Sequence, residues 1–310
     1  MLTAWQGFLC GKRKRLDVQV FFADLVDNIF SLRNELLSNN YNHGEYQAFN
    51  ISDPKPRRIH KATVRDRVVH HLLYSTLYDH FDRQFIFDSY SCRLNKGSHK
   101  AMDRFKYFAS RVSKNQTKTC YVLKGDIRKF FASIDQAILS NILKRQIVDQ
   151  DLLWLIEKVL TSFNSGKVGV GLPLGNLTSQ LFSNIYLNEL DRYIKQDLRI
   201  KYFIRYADDF VILSDSKDEL ENFVIPIKNF LQQNLKLELH PQKLFIKTYA
   251  SGVDFLGWVH FSHHRQIRTA TKRRIFKRLV GEPKLATINS YRGLLSHGNS
   301  HKIKERLGLT

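Results

Sequence analysis

At 310 residues, with 43% hydrophobic and 12% aromatic residues, the chain is long enough for two or three subdomains and is not a largely disordered protein. No apolar run approaches the ~20 residues of a membrane helix, and Met1 to Cys10 lacks the basic start and long apolar core of a signal peptide, so neither a membrane nor an export route is expected. Cys10, Cys92 and Cys120 form no Cys-x-x-Cys, which disfavours a disulfide framework or a zinc site, and the net charge of +20 points to a polyanionic partner.

That charge is unevenly placed. Residues 51–120 hold 15 basic and 6 acidic residues and residues 263–310 hold 12 and 2, whereas 1–50 are neutral and 121–262 nearly so. Two basic segments therefore flank a balanced centre, a pattern that suits phosphate binding better than a merely soluble surface, which mixes both signs.

In chain order, residues 1–50 read as a helical extension, with Val18, Phe21, Leu25, Ile29, Leu32 and Leu36 near helical spacing. Lys12-Arg13-Lys14-Arg15 is open between a targeting signal, a phosphate contact and a solvated charge run. Asp53 to His60 reads as an extended basic hairpin, followed by a helix with Val64, Val68, Leu72, Leu73, Leu77 and Phe81 on its apolar face. His60, His70, His71 and His80 have no companion Cys or carboxylate cluster, so surface or core roles are expected of them; Arg57, Arg58, Lys61, Arg65 and Arg67 are better placed to hold a triphosphate. Asn95 to Lys100 is a turn opening another helix.

Tyr121 to Ile127 is a short strand bearing Asp126 at its end. Ser133-Ile134-Asp135-Gln136 has the form of a capping box for a helix to about Arg145, and a second helix runs from about Leu152 to Phe163. Residues 166–176 are too glycine-rich for an element and lack the Gly-Lys-Ser/Thr ending of a P-loop, which disfavours a Walker-type NTPase. A long amphipathic helix with Leu177, Leu181, Ile185, Ile194 and Leu198 inward leads into Tyr202 to Leu213, two strand-like runs separated by Asp208-Asp209. Ser216 caps a further helix to about Asn234, kinked at Pro226; Leu235 to Leu239 alternates like a half-buried strand, and Phe255 to Phe261 reads as one more strand. The remainder is short, basic and helical.

The Asp-Asp pair alone is compatible with a plain hairpin tip. Its apolar flanks place the acids in a partly dry setting, where a divalent ion is the usual remedy for clustered carboxylates. With Asp126 as a third acid and basic flanks, the constellation suits two-metal phosphoryl transfer by a polymerase or a nuclease.

Resemblance separates those two. Tyr206-Ala207-Asp208-Asp209, Asp126 with Phe131 five residues on, Leu172-Pro173-Leu174-Gly175, Lys243 and Phe255-Leu256-Gly257 stand in the order of the boxes of a reverse transcriptase palm, over roughly residues 50–262. The resemblance implies an α+β right-hand polymerase: fingers at 51–120, a palm of antiparallel sheet backed by helices at 121–262, and a short basic thumb at 263–310. It implies an RNA-directed DNA polymerase using two Mg²⁺ ions, with Asp126, Asp208 and Asp209 as catalytic acids and metal ligands and Ile127 in the metal and nucleotide sets. Lys243 would protonate the pyrophosphate, Phe131 would gate against the ribose 2′-hydroxyl, and Arg58, Lys61, Arg65, Leu174, Gly175 and Gln180 would complete the deoxynucleoside triphosphate site.

Thr63 to Val69, Asp88-Ser89-Tyr90 and Ser183 to Leu187 are similar to group II intron-like enzymes. Leu174-Gly175-x3-Ser179-Gln180, where those enzymes carry Gln-Gly-x3-Ser-Pro, resembles the reverse transcriptases of diversity-generating retroelements. These copy a template-repeat RNA with errors at adenines and work with a small basic accessory variability protein, in the cytoplasm of a bacterium or as a phage product. Intron, retron and phage-defence reverse transcriptases, or a non-catalytic RNA-binding palm, remain the alternatives.

Overall fold

The computed structural model describes residues 1–52, 55–281 and 283–308. In chain order it contains α1 (Leu2–Leu9), α2 (Leu16–Ala23), α3 (Leu25–Leu37), β1 (Gln47–Ile51), β2 (Arg57–Lys61), α4 (Val64–Asp82), α5 (Ser98–Val112), β3 (Tyr121–Asp126), α6 (Phe130–Ser133), α7 (Gln136–Lys144) and α8 (Gln150–Thr161). There follow α9 (Leu177–Arg192), extended by a π-helical turn at Tyr193–Asp197, then β4 (Phe203–Tyr206), β5 (Asp209–Ser214), α10 (Lys217–Leu235), a 3₁₀ turn at Pro241–Lys243, β6 (Phe245–Thr248), β7 (Val253–Phe255), β8 (Trp258–His260), β9 (Arg265–Ile267), α11 (Thr269–Arg278), α12 (Leu285–Leu295) and α13 (His301–Arg306). Two compact units assemble from alternating stretches: Met1–Ile86, Ile127–Tyr193 and Ile227–Leu239 in the first, Phe87–Asp126, Ile194–Pro226 and His240–Thr310 in the second.

The first unit is mainly helical. Thr63 caps α4 by accepting from the Asp66 amide, and the apolar face of α4 packs on α1 and α9. Its His70 is buried, bonded to Thr178 Oγ1 at 2.7 Å and to His43 at 3.2 Å; burial pushes its imidazole down to about 3, so it is a neutral core residue. Strands β1 and β2 form the basic hairpin, Asn50 opposite Arg58; Asp53 and Pro54 between them lie outside the described residues.

Three local expectations are corrected here. α9 is not amphipathic: Thr178, Ser179, Ser183, Asn184, Asn188 and Asp191 are buried along with its apolar residues, because the helix is packed on most of its circumference. The cap of α7 is Asp135, whose carboxylate accepts from the Ala137 and Ile138 amides at 3.0 Å, while Ser133 ends the separate short α6. Residues 235–239 are not a strand; α10 runs through Leu235, Lys236 turns out of it at φ +49°, and Leu239 makes a single bridge to Ile127.

The second unit carries the central sheet, ordered β4-β5-β3-β6 and antiparallel throughout. Residues of one parity share a sheet face, and Val122, Val211, Leu213 and Ile204 meet Phe105, Phe108 and Ala109 of α5 there. Each such buried apolar side chain contributes about 1.5–3 kcal/mol. Asp88-Ser89-Tyr90 runs beside β4, with Ser89 bridged to Arg205. Gly125 lies under the Phe210 ring, which a Cβ would strike. The expected single strand at 255–261 is two strands, since Leu256 (φ +52°) and Gly257 (φ +87°) turn the chain between β7 and β8 of a second sheet, β7-β8-β9. Trp258, Ile267, Ile275, Tyr291, Leu295 and Ile303 form a separate core with α11, α12 and α13.

Candidate active site

The pairing register positions the acids. Asp126, the last residue of β3, lies directly opposite Asp209, the first of β5, and Asp209 also pairs with Tyr206 across a two-residue turn. That turn is Ala207-Asp208, with Ala207 at φ +52° as in a type II′ hairpin. Asp208 is thus the turn residue and Asp209 a strand residue. The wholly buried Arg205 supports the turn from below, donating through Nη1 to the Ala207 carbonyl at 3.3 Å.

Cations answer the clustered carboxylates. Lys243, from the 3₁₀ turn capped by His240, donates to Asp126 Oδ1 at 2.7 Å, and the His240 amide donates to the Asp126 carbonyl at 2.7 Å. Lys124, two residues before Asp126 and on the same face of β3, stands 3.5 Å from Asp209 Oδ1 and donates to the Asp254 carbonyl on β7 at 2.9 Å. Burial and the neighbouring Asp126 and Asp209 push the Asp208 carboxyl up to about 6. Burial also raises Asp209, only partly offset by Lys124.

Three carboxylates at one end of a sheet are hard oxygen donors of the kind magnesium and manganese prefer, and two ammonium groups now balance their charge. The donor set therefore fits a divalent ion. Among the described residues, no group of three His, Cys, Asp or Glu is already drawn together as a metal cage.

Asp126, Asp208, Asp209 and Lys243 thus lie together in the second unit. The other expected residues belong to the first. Ile127 opens it, side chain buried and backbone bridged to Leu239. The loop containing Leu174 is stitched to its neighbours: the Leu172 amide donates to the Phe131 carbonyl at 2.7 Å, and the His60 amide of β2 donates to the Leu174 carbonyl at 2.9 Å. Gly175, at φ +107°, lets this loop approach β2, because a Cβ would come within 2.7 Å of Ile59 Cγ2. Phe131 is half-buried beside that loop. Gln180 lines a hollow of about 230 Å³ with Phe8, Lys12, Arg67 and Asn176.

The cations of this unit differ in their freedom. Arg58 is exposed, with no ion pair among the described residues. Lys61 binds Asp17 at 2.7 Å, Arg67 binds the same carboxylate at 2.5 Å, and Arg65 is held by Glu35 and by Asp66 at 3.2 Å.

Sequence reasoning missed Lys124, Arg205 and Asp254. A lysine at even spacing from Asp126 on an otherwise apolar strand was the available signal for Lys124.

A four-stranded antiparallel sheet that gathers acids at a strand end and a hairpin turn, backed by helices, is the palm of a nucleic-acid polymerase. The profile of the reverse transcriptase (RNA-dependent DNA polymerase) family matches residues 52–260, and the chain belongs to that family. Among curated relatives, Protein YkfC of Escherichia coli (strain K12) is 26% identical over 292 residues, covering 81% of this chain and 74% of that protein. The group II intron-encoded protein LtrA of Lactococcus lactis subsp. cremoris is 24% identical over 206 residues, 44% of this chain; the chain spans about a third of LtrA, 34% of its length. Among solved structures, apo telomerase from Candida tropicalis, truncated from its C-terminal domain, shares the fold with a TM-score of 0.55 at 13% identity, over 78% of this chain and 60% of that one. No helix among the described residues is long and apolar enough to cross a membrane.

Proposed function

We propose that the protein is the reverse transcriptase of a diversity-generating retroelement, copying a template-repeat RNA into cDNA with errors at adenines. The observation that carries this reading is Leu174-Gly175-x3-Ser179-Gln180 in the nucleotide loop. Glutamine at position 174 would offer hydrogen bonds to a nucleotide or its template partner; leucine offers only packing. Selection opposite adenine loosens accordingly. Copying of a defined RNA by Leu174→Gln is expected to show fewer errors at adenine, and an unchanged error spectrum would overturn the reading.

Asp126 and Asp208 are the proposed principal ligands of two Mg²⁺ ions, with Asp209 beside them and Ile127 contributing through its backbone. When bound, such ions activate a primer 3′-hydroxyl and stabilise the departing pyrophosphate. Lys243, whose ammonium nitrogen donates to Asp126 Oδ1 at 2.7 Å, is proposed to deliver a proton to the pyrophosphate. Arg58, Lys61 and Arg65 are proposed to hold the triphosphate, and Phe131 to exclude ribonucleotides. Primer extension on RNA with Mg²⁺, run beside Asp208→Asn, tests the chemistry: equal activity in both would refute it.

The proposal includes fingers, palm and thumb at the residues given above, a primer–template partner, a small basic accessory protein and a cytoplasmic bacterial or phage setting. A second reading, an intron-type reverse transcriptase, is favoured by the relatives that are intron-encoded proteins. The error spectrum separates the two.

A further inference from the structure

The opposite end of the central sheet carries a feature that nucleotidyl transfer does not use. At the Tyr121 end of β3, roughly 17 Å from Asp126 at 3.3 Å per residue, a cavity of about 560 Å³ opens beside α5. Lys106, Lys118, Ser110, Thr117, Thr248 and Ser262 line it, and none of its lining residues is acidic.

Its wall is a strained loop. Lys114, Asn115 and Gln116 are three consecutive non-glycine residues at φ +47°, +54° and +73°. Each costs on the order of 1 kcal/mol, so their surroundings must hold them there. The Asn115 amide donates to the Ser110 carbonyl at 2.8 Å, Ser110 Oγ to Asn115 Oδ1 at 2.6 Å, the Gln116 amide to Ser113 Oγ at 3.0 Å, and Gln116 Nε2 to the Ser262 carbonyl at 3.4 Å. The cavity is therefore preformed.

A second hollow, about 330 Å³, shares this end of the sheet and is lined by Arg111, Lys114, Arg199 and Lys201 together with Asp215 and Glu219. Both acids are engaged, Asp215 by Lys118 at 3.5 Å and Glu219 by Ser214 Oγ. Lys106, Arg111, Lys114, Arg199 and Lys201 are exposed and make no ion pair among the described residues. Tyr107, 51% exposed, stands one helical turn before Arg111 and presents a ring on which a base can stack.

We infer that this end of the sheet is a second RNA-binding surface, gripping the phosphodiester backbone of a folded RNA at a distance from the catalytic acids. Unpaired Lys106 beside a hydroxyl-lined, carboxylate-free hollow, and four more unpaired cations around a neighbouring hollow whose two acids are engaged, match phosphates. A protein partner would call for an apolar centre, and Tyr107 is the only large exposed hydrophobic side chain in residues 98–118.

The test is filter binding of a labelled RNA hairpin with a single-stranded tail to the full chain, across a salt series. K106E/R111E/K114E is expected to bind at least about tenfold more weakly at moderate salt, with the slope of log K against log salt smaller by about 2, from three lost contacts. Extension of a short primer–template at saturating concentration stays unchanged. K106R/R111K/K114R retains the wild-type slope, as does R33E/K144E/K228E, the same charge change placed on exposed cations elsewhere. Unchanged affinity and slope in the first variant, or an equal loss in the third, would overturn the inference. Equal competition by polyglutamate and RNA would overturn it in favour of an acidic protein. Should the triple reversal fail to fold, R111Q/K114Q carries the same test, with a slope change of about 1.4.

Discussion

Two hairpins of the second unit use the same backbone device for different ends. In β4–β5 the turn is Ala207-Asp208, and only the first residue is left-handed; in β7–β8 the turn is Leu256-Gly257, and both are. The first presents a charged side chain and is flanked by carboxylates that lysines must balance. The second presents no charge at its turn: Phe255 and Trp258 anchor it by burial, and the Gly257 carbonyl accepts from the Arg268 amide at 3.2 Å. One hairpin has to hold side chains against mutual repulsion, the other only a main-chain position. Damage to the first should therefore appear in chemistry, and damage to the second in stability. Lys124 touches both, through the Asp209 carboxylate and the Asp254 carbonyl.

The sharpest break is Asp208→Asn. Under the proposed role of Asp208 as a metal ligand, its loss removes several kcal/mol of transition-state stabilisation, so primer extension should fall more than about a hundredfold. Its melting temperature should not fall, because the lost charge sits among like charges; a drop in parallel with activity would erase the contrast. Next comes Lys124→Met, which strips Asp209 of its counter-charge and the Asp254 carbonyl of its donor. A stability loss of about 2 kcal/mol in denaturant titration is expected, together with reduced extension. If Lys124→Met retained both, the two hairpins would be independent.

Gly257→Ala meets no atom within 4 Å but forces alanine to φ +87°, which should cost about 1 kcal/mol in stability and leave extension at saturating primer intact. The smallest effect is a pH dependence of the metal-free protein. With Asp208 at about 6 when folded against 3.8 for a freely solvated aspartate, the native chain binds more protons between those values. Stability from this group is therefore present at low pH and lost as pH rises towards about 6. The difference in melting temperature between wild type and Asp208→Asn across that window measures it, and a constant difference would refute it.

Much of the palm is legible in the sequence, because β-branched and aromatic runs specify β3, β4 and β5 whatever surrounds them, and the acids fall at their ends. Local errors arise where a short-range signal had a competitor. Ser133 and Asp135 both suit a cap, and the backbone chose the one preceding the longer helix. The alternation of 235–239 was overridden by a helix that continues until Lys236 turns left-handed. Leu256 gave no warning of a positive φ, since leucine rarely adopts one. The ion pairs of Lys124 and Lys243 were illegible for a different reason: they depend on strands brought together from distant parts of the chain, as the Lys243–Asp126 pair shows with a separation of 117 residues.

The pairing of the β2 and α4 cations bears on affinity. Asp17 of α2 occupies Lys61 and Arg67, and Glu35 of α3 occupies Arg65. Under the proposed role of Lys61 and Arg65, a triphosphate enters by ion exchange, displacing resident carboxylates instead of meeting bare charge. Net affinity is then the difference between two ion pairs, and Asp17→Asn would tighten nucleotide binding without touching a single residue that contacts the nucleotide. The N-terminal helices would act, in that sense, as the enzyme's own competitive anion.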